Sequence, residues 1–266
     1  MPVLVVIPAR YASSRYPGKP LVALRGASGE SRTLIERSWL AAQAVAGVDR
    51  VVVATDDARI RDVAEGFGAE VVMTSESCAN GTERVAEAVA ALGGGFETVI
   101  NLQGDAPLTP PWLVEALVAG LAADPEAEIA TPVLRCDGRA LAALLADRRA
   151  GRVGGTTAVF GKRGHALYFS KEVIPFTGQS YGEDDPTPVF HHVGVYAYRP
   201  AALAAYPQWQ PGPLEGLEGL EQLRFLERGR PVLCVEVESR GREFWELNNP
   251  EDVPRIEAMM ARMGLD

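Results

Sequence analysis

The chain has 266 residues, of which 47% are hydrophobic and 23% charged, a composition typical of a globular protein. Its formal net charge of −9 argues against a protein that coats nucleic acid, because such a protein needs a basic face. Apolar runs of membrane-spanning length and the features of a secretory signal are missing, so we expect a cytoplasmic protein without membrane insertion. The wide spacing of Cys78, Cys136 and Cys234 predicts reduced thiols rather than a zinc site or a disulfide framework.

The first predicted element is a buried strand over residues 3–7, followed by a polar loop. The run is unbroken, which is typical of a strand buried on both faces, and Pro8 is expected to end it because proline cannot donate to a sheet ladder. Neither the P-loop nor the dinucleotide glycine fingerprint follows. The loop residues favour an anion, which predicts a phosphate-binding loop, and a plain surface loop is the alternative. These residues are Arg10, Ser13, Ser14, Arg15, Gly18 and Lys19.

Strands and helices alternate through the first 134 residues. This alternation predicts an α/β fold with a mostly parallel sheet flanked by helices. Ligands of such sheets bind beyond the carboxyl ends of the strands, so Asp56 and Asp57 are candidates, and capping of the next helix is the alternative. Residues 25–32 are predicted to form a polar loop. Predicted strands cover residues 51–54, 71–72, 98–102 and 129–134, and predicted helices cover residues 34–46, 58–67 and 112–122.

Two more polar segments follow elements of this sheet. The Asn80-Gly81 pair predicts a turn, and Thr82 is expected to cap the helix that begins directly after it. This segment is either a plain loop-to-helix turn or part of a nucleotide site. Asp105 follows the strand over residues 98–102, where a carboxylate is suited to hold Mg²⁺ together with phosphate oxygens, although it could equally cap a helix.

The second half of the chain contains fewer alternating elements. His191 and His192 are expected to be strand residues, one facing in and one facing out. Leucines at threefold spacing over residues 213–228 predict a helix with a packed stripe, namely Leu214, Leu217, Leu220 and Leu223. Other predicted elements are a helix over residues 140–146, a loop over 179–188, a strand over 231–237 and a terminal helix that starts at Pro250.

Taken together, these motifs resemble those of the CMP-Kdo synthetases, which load the acidic sugar 3-deoxy-manno-octulosonate (Kdo) onto CMP. The matching blocks cover nearly the whole chain and occur in the order found in the family. They are Arg10, Ser13, Arg15 and residues 17–20; residues 80–84; Gln103, Gly104, Asp105 and Pro107; and residues 166–175, 190–199, 213–228 and 246–253.

The resemblance implies a nucleotide-diphospho-sugar transferase-like fold and a Mg²⁺-dependent transfer of CMP from CTP to Kdo, with release of pyrophosphate, for lipopolysaccharide synthesis. It implies Arg10, Lys19 and Asp105 as catalytic residues, and Asp105 and Asn248 as metal ligands. The implied nucleotide-binding residues are Arg10, Ser13, Arg15, Lys19, Asn80, Gly81, Thr82 and Arg84. The implied sugar-binding residues are Gln103, Lys171, His192, Tyr196 and Glu221. The chain is then expected to be one cytidylyltransferase domain over residues 1–266 that forms a homodimer, with residues 135–200 as a sugar-binding and dimerisation elaboration.

Four positions depart from the family pattern. Ala106 replaces a Glu, Lys171 and His191 replace Arg, and Asn248 replaces the metal-binding Asp. Lysine lacks the planar fork of arginine, and a neutral amide is a weaker ligand for Mg²⁺. Two alternatives therefore stay open, namely a cytidylyltransferase for another ulosonic acid such as 8-amino-Kdo and a non-catalytic CTP-binding relative. Without the resemblance, Lys171 and Glu221 are ordinary exposed side chains.

Overall fold

The structure, a computed structural model, describes residues 2–13, 15–153, 155–242 and 245–266. Ser14, one of the predicted loop hydroxyls, lies outside these ranges. The chain divides into two compact units. Unit 1 comprises Met1–Glu115 and Arg240–Asp266, and unit 2 comprises Ala116–Ser239. In the described part of the chain, no helix combines the length and the apolar character needed to cross a membrane.

Strands and helices follow one another along the chain much as predicted. Up to residue 137 they are β1 Val3–Ala9, β2 Ala23–Arg25, β3 Ser31–Thr33, α1 Leu34–Gln43, β4 Arg50–Thr55, α2 Ala58–Gly66, β5 Glu70–Met73, α3 Gly81–Ala91, β6 Thr98–Leu102, α4 Pro111–Ala123 and β7 Ile129–Asp137. After it they are α5 Gly138–Arg149, β8 Thr156–Phe160, β9 Ala166–Ser170, β10 Pro186–His192, β11 Val195–Tyr198, α6 Pro200–Ala205, α7 Pro213–Glu218, α8 Leu223–Glu227, β12 Val232–Glu236 and α9 Asp252–Met263.

The sheet of unit 1 is parallel, with strand order β5-β4-β1-β6. Val5 of β1 lies opposite Val51 of β4 and Ile100 of β6, and all seven residues of β1 are buried. Helices α1 and α3 contact β1, while α2 contacts β4 and β5. The predicted α/β class is confirmed, and the carboxyl ends of β1, β4 and β6 share one edge of the sheet.

The prediction that Pro8 ends β1 is wrong. The strand continues to Ala9, and Pro8 lies opposite Ala54 of β4. β6 pairs with β1 only as far as Val6, so Pro8 has a paired neighbour on one side only. A proline is tolerated there because the strand end is locally an edge, where a missing N–H breaks no ladder bond.

Helices α1, α2 and α3 of unit 1 start at side-chain caps, and Thr33 caps α1. Asp57 accepts a hydrogen bond from a backbone N–H at the start of α2, which confirms the capping alternative for this residue. Asn80 caps α3, since its Oδ1 accepts from the Glu83 N–H at 2.9 Å. The prediction of Thr82 as the cap is therefore wrong, because Thr82 already lies inside the first helical turn.

The loop predicted over residues 25–32 is instead part of a hairpin formed by β2 and β3. This hairpin holds the C-terminal segment: the Arg25 N–H donates to Glu257 at 2.8 Å and the Ser28 N–H donates to the Asp266 side chain at 2.7 Å. The cluster of buried side chains beneath it comprises Leu24, Leu34, Leu108, Leu247, Ile256, Met259 and Met260. The segment therefore completes the core of unit 1.

β7 is the central strand of unit 2. It pairs antiparallel with β10 and β11 and parallel with β12, and β8 pairs antiparallel with both β10 and β9. Antiparallel pairs thus dominate this unit, in which β7 and β12 form a parallel pair, whereas the pairs β5-β4, β4-β1 and β1-β6 of unit 1 are all parallel.

The single helix predicted over residues 213–228 is wrong, because α7 and α8 are separate. Gly219 ends α7 with a φ of 61°, a left-handed conformation that glycine adopts without steric cost. The leucine stripe is broken as a result: Leu223 is fully buried, whereas Leu217 is 84% exposed.

A buried ion pair joins α7 to α8. Arg224 is 2% exposed, and its Nε and Nη2 each donate to one carboxylate oxygen of Glu215 at 2.7 Å. The guanidinium also lies 4.1 Å from the centre of the Tyr206 ring. Because the pair is bidentate and removed from water, it fixes the two short helices against each other.

Candidate active site

The loop after β1 is closed by a glycine with a left-handed backbone. Gly18 has a φ of 73°, and its N–H donates to the Tyr11 carbonyl at 2.9 Å. A Cβ at Gly18 would lie 3.0 Å from the Tyr11 ring, so a larger residue would meet both strain and a clash. The Ser13 hydroxyl accepts a backbone hydrogen bond within the loop at 3.4 Å. Arg10 and Arg15 are exposed, which leaves their charges available to an anion in solution.

Lys19 connects three segments of unit 1. Its Nζ donates to Asp105 Oδ2 at 2.5 Å and to the Leu247 carbonyl at 3.0 Å. The Leu247 N–H in turn donates to the backbone carbonyl of Asp105 at 3.0 Å. The side chains of Lys19 and Asp105 remain 16% and 24% exposed, so a ligand can reach both. The loop after β1, the end of β6 and the segment before α9 therefore meet here.

The segment before α9 directs one side chain into the core and two toward this meeting point. Leu247 is fully buried. Glu246 and Asn248 reach solvent, and Glu246 Oε2 accepts from Asn248 Nδ2 at 3.5 Å. Asn248 Oδ1 accepts from Arg15 Nη2 at 2.8 Å, which ties the segment to the loop after β1.

Glu246 is a site residue that the sequence prediction missed. Its side chain is exposed to solvent. Desolvation and the Asp105 carboxylate raise the pKa of Glu246 to about 7, against the opposing effect of the Asn248 amide. Neighbouring carboxylates of this kind favour a cation between them. The charged–apolar–polar alternation of residues 246–248, at the start of the matching block 246–253, is the signal that could have found it.

The oxygens around Asp105 fit a divalent metal. Asp105 and Glu246 offer carboxylates and Asn248 offers an amide oxygen, which are the donors that hard cations such as Mg²⁺ prefer. The Lys19 ammonium now lies against Asp105, so this carboxylate already attracts positive charge. With a metal at Asp105, Lys19 and Arg15 are left to bind a polyanion.

The start of α3 packs directly against the end of β6. A Cβ at Gly81 would lie 3.2 Å from Gln103 Nε2, so the glycine lets this amide approach the helix backbone. Asn80 is the cap of the helix, and Thr82 is fully buried. Asn101 of β6 is also fully buried, and its amide has no hydrogen-bond partner among the described residues. The positive end of the helix dipole at the start of α3 favours negatively charged ligands, which suits a nucleotide.

Arg84 ties the start of α3 to neighbouring segments of unit 1. It is 3% exposed, and its guanidinium donates to Asp56 at 2.7 Å and to the Thr74 hydroxyl at 2.5 Å. Direct contact between Arg84 and a nucleotide stays a prediction, since these bonds engage the side chain inside unit 1.

In unit 2, Lys171 lies beside Glu218, a residue that the sequence prediction missed. The Glu218 carboxylate accepts from Ser170 Oγ at 2.7 Å, from the Lys171 N–H at 2.9 Å and from the Tyr168 hydroxyl at 3.3 Å. Although desolvation opposes it, these donors lower the pKa of Glu218. Lys171 Nζ lies 3.0 Å from the place that a Cβ on Gly219 would take, so the ammonium sits over the end of α7.

His192 is a buried, neutral imidazole. It is 6% exposed, and burial, together with His191, lowers the pKa of His192 to about 3. Its Nε2 lies 2.8 Å from Thr131 Oγ1. The Thr131 hydroxyl also lies 2.9 Å from the Val195 carbonyl, which can only accept, so the tautomer that satisfies all three groups has a hydrogen on Nε2 that is donated to the hydroxyl oxygen. Nδ1 is then an acceptor.

The other predicted sugar-binding residues of unit 2 differ in exposure. Tyr196 is 4% exposed, and its hydroxyl donates to Gln222 Oε1 at 3.1 Å. Its ring centre lies 5.7 Å from that of His192, so the structure brings these two residues together. Glu221 is half-buried, and its backbone carbonyl accepts from the Tyr206 hydroxyl at 3.2 Å.

Comparison with known proteins places the chain in a family. A model of the family described as "Cytidylyltransferase" matches residues 4–236. The chain is 47% identical over 264 residues to the 3-deoxy-manno-octulosonate cytidylyltransferase of Maricaulis maris (strain MCS10), which covers 99% of both chains. It is 38% identical over 267 residues to the mitochondrial 3-deoxy-manno-octulosonate cytidylyltransferase of Arabidopsis thaliana, which covers 99% of this chain and 84% of the relative.

A solved structure agrees with these relatives. The CMP:2-keto-3-deoxy-manno-octonic acid synthetase complexed with CTP superposes with a TM-score of 0.83 at 32% identity, covering 99% of this chain and all of the other. From the matched residues, the identities and the shared fold, the chain belongs to the 3-deoxy-manno-octulosonate cytidylyltransferase family of nucleotidyltransferases.

Proposed function

We propose that this chain transfers CMP from CTP to Kdo, giving CMP-Kdo and pyrophosphate for lipopolysaccharide synthesis. The observation that carries the proposal is the contact of Lys19 Nζ with Asp105 Oδ2 at 2.5 Å. It joins a cationic loop to a carboxylate at the edge of a parallel sheet where ligands bind. A nucleoside triphosphate with a divalent metal has the charges that complement this pair.

Arg10, Arg15 and Lys19 would hold the triphosphate, with Ser13 in the same loop. In the transfer, the anomeric hydroxyl of the sugar attacks the α-phosphorus and pyrophosphate leaves. Negative charge then builds up on phosphate oxygens, and cations that are already in position stabilise it without reorganisation. The support for these roles is the exposure of Arg10 and Arg15 and the partial exposure of Lys19.

Members of this family typically act with a divalent metal, and we propose Mg²⁺ held by Asp105 and Asn248. Bound Mg²⁺ would neutralise and orient the phosphates. Asp105 would exchange the Lys19 ammonium for the metal, which frees Lys19 to bind a phosphate oxygen. The fit of the surrounding oxygens to a hard cation supports this assignment.

The nucleoside would bind at the start of α3, through Asn80, Gly81 and Thr82. Arg84 would act there through its buried bonds to Asp56 and Thr74, which hold the segment in place. Gln103, which contacts Gly81, would reach the nucleotide or the sugar from the end of β6.

Residues of unit 2 would hold the sugar acid. Lys171 supplies a cation for the carboxylate, whereas the neutral His192 suits a sugar hydroxyl, which can donate to Nδ1. Tyr196 and Glu221 would complete the set. We also propose, from the family, that residues 135–200 carry sugar binding and dimerisation and that the chain acts as a homodimer in the cytoplasm.

The test is pyrophosphate release with Mg²⁺ and CTP, with and without Kdo. ATP, GTP and UTP replace CTP in parallel reactions, and 8-amino-Kdo and sialic acid replace Kdo. We expect release only with CTP and Kdo together. Faster release with 8-amino-Kdo would change the sugar assignment, and binding of CTP by calorimetry without release for any sugar acid would contradict the proposed catalysis.

A further inference from the structure

The loop after β1, the end of β6 and the segment before α9 meet around Asp105. The charges there do not suit a divalent cation if Asp105 is the one carboxylate involved. Lys19 and Arg15 bring two positive charges there, and Asn248 is neutral. A dication would then be opposed by more positive charge than Asp105 offsets. A second carboxylate removes this imbalance and leaves both cations free for phosphate.

Residues 245–252, which end at the first residue of α9, contain three carboxylates, of which one remains suitable. Asp252 is engaged, because it accepts from Trp245 Nε1 at 2.8 Å and from the N–H groups of residues 248 and 249 at 2.9 and 2.7 Å. Glu251 is exposed at the start of α9. Glu246 alone of the three lies with Asn248, and it directly precedes Leu247, whose N–H donates to the Asp105 carbonyl.

The backbone also fixes where Glu246 can reach. Leu247 is anchored twice, by its buried side chain and by its N–H bond to the Asp105 carbonyl at 3.0 Å. Its carbonyl accepts from Lys19 at 3.0 Å. Glu246 and Asn248 flank this anchored residue, so the backbone of both is held next to that of Asp105.

From this geometry we infer that Glu246 supplies the second carboxylate of the divalent-cation site and works with Asp105, while Asn248 serves as a neutral ligand and a partner of Arg15. The inference rests on the proposed function, since the metal is needed for CMP transfer. It places the second negative charge of the site two positions before Asn248, whereas the family motif has its metal-binding Asp at the position of Asn248.

The test measures the affinity of the full chain for Mn²⁺ in the wild type and in Glu246→Gln. Electron paramagnetic resonance quantifies the free Mn²⁺ at each total concentration. Glutamine keeps the shape of the side chain and removes its charge. Glu251→Gln is the matched control, because it removes a carboxylate from the same segment. The double variant Glu246→Gln/Asn248→Asp returns a carboxylate two residues away.

We expect Glu246→Gln to weaken Mn²⁺ binding by about tenfold or more, as expected when a carboxylate ligand is lost, and to raise the half-saturating Mg²⁺ concentration for pyrophosphate release in parallel. Glu251→Gln should bind Mn²⁺ as the wild type does, and the double variant should regain most of the affinity. Equal Mn²⁺ binding by wild type and Glu246→Gln, including weak binding by both, would overturn the inference. So would an equal loss in Glu251→Gln, and so would a double variant that regains nothing.

The two proposals fail separately. A wild-type chain that turns over CTP and Kdo while Glu246→Gln binds Mn²⁺ normally contradicts the role of Glu246 alone. A chain that turns over no sugar acid, yet loses Mn²⁺ affinity in Glu246→Gln, contradicts the proposed reaction and leaves the metal site supported.

Discussion

The predicted site residues of the two units are held in opposite ways. In unit 1, Lys19 and Asp105 reach solvent and bind each other through opposite charges. In unit 2, His192 and Tyr196 are 6% and 4% exposed, and their polar atoms bond to the neutral side chains of Thr131 and Gln222. Exposed ion pairs contribute little to folding and are easily exchanged for a ligand, whereas buried polar groups must be satisfied within the fold. Substitutions should therefore affect activity first in unit 1 and stability first at the buried positions of unit 2.

The largest effect is expected for Asp105→Ala in unit 1. We expect kcat/KM for pyrophosphate release to fall about a thousandfold or more, because metal and phosphates lose the group that positions them. The thermal unfolding temperature should change little. Asp62→Ala removes an exposed carboxylate of α2 and should leave both quantities unchanged. Full activity of Asp105→Ala would contradict the metal assignment.

Arg224→Met should show the reverse behaviour in unit 2. The change leaves Glu215 buried without its partner, and the free energy of unfolding should fall by about 3 kcal/mol or more. Urea denaturation measures this loss. Arg228→Met, at an exposed neighbouring position, should have a small effect, and replacing Glu215 by Leu together with Arg224→Met should recover part of the loss. An unchanged urea midpoint for Arg224→Met would show that the pair does not hold the two helices.

A smaller and more selective effect is expected for Lys171→Met, the partly exposed cation of the proposed sugar site. The KM for Kdo should rise about tenfold, because a charge-assisted hydrogen bond to the carboxylate is lost, while the KM for CTP stays the same. Lys162→Met is the exposed control. Steady-state kinetics with each substrate varied in turn separate the two constants, and an equal rise in both would argue against a sugar contact.

The smallest effect is a pH dependence due to His192. The pKa of His192 is about 3 in the fold, below its value of about 6.5 in an unfolded chain. Protonation therefore favours unfolding: the contribution to stability is complete above pH 6.5 and is lost as the pH falls toward 3. The loss approaches about 1.4 kcal/mol per pH unit.

Urea denaturation of the wild type and of His192→Gln between pH 7 and pH 5 tests this dependence, in a range where ordinary carboxylates remain ionised. The wild type should lose stability with falling pH more steeply than the variant. Parallel slopes for the two proteins would show that His192 is not held neutral.

Much of the fold was predictable because local sequence patterns indicate it. Unbroken apolar runs gave the buried parallel strands of unit 1, and their alternation with helices gave the class of fold. The errors lie where a distant segment decides the outcome. Pro8 stays in β1 because β6 ends its pairing early, and residues 25–32 take part in a hairpin that the C-terminal segment packs against. The helix over residues 213–228 is divided at Gly219, where only the backbone conformation reveals the break.

The candidate site was predictable as far as motifs contained it. The loop cation Lys19 and the strand-end carboxylate Asp105 were expected at one edge of the sheet, and the structure brings them into contact. Their roles, like those of the other site residues, stay predictions. Glu246 and Glu218 were missed because their importance comes from neighbours brought close by folding, and neither carries a distinctive spacing of its own.

One consequence of the discontinuous unit 1 concerns how the protein is made. The core of this unit combines Leu24 and Leu34 with Leu247 and Ile256, and all of unit 2 is encoded between them. During synthesis on the ribosome, the cationic loop after β1 emerges early, long before the segment that contains Glu246 and Asn248. Unit 2 has its whole sequence available before unit 1 does. A product of premature termination before residue 246 thus carries this loop and Asp105 without Glu246 and Asn248, so we expect only a chain translated past residue 248 to act on nucleotide.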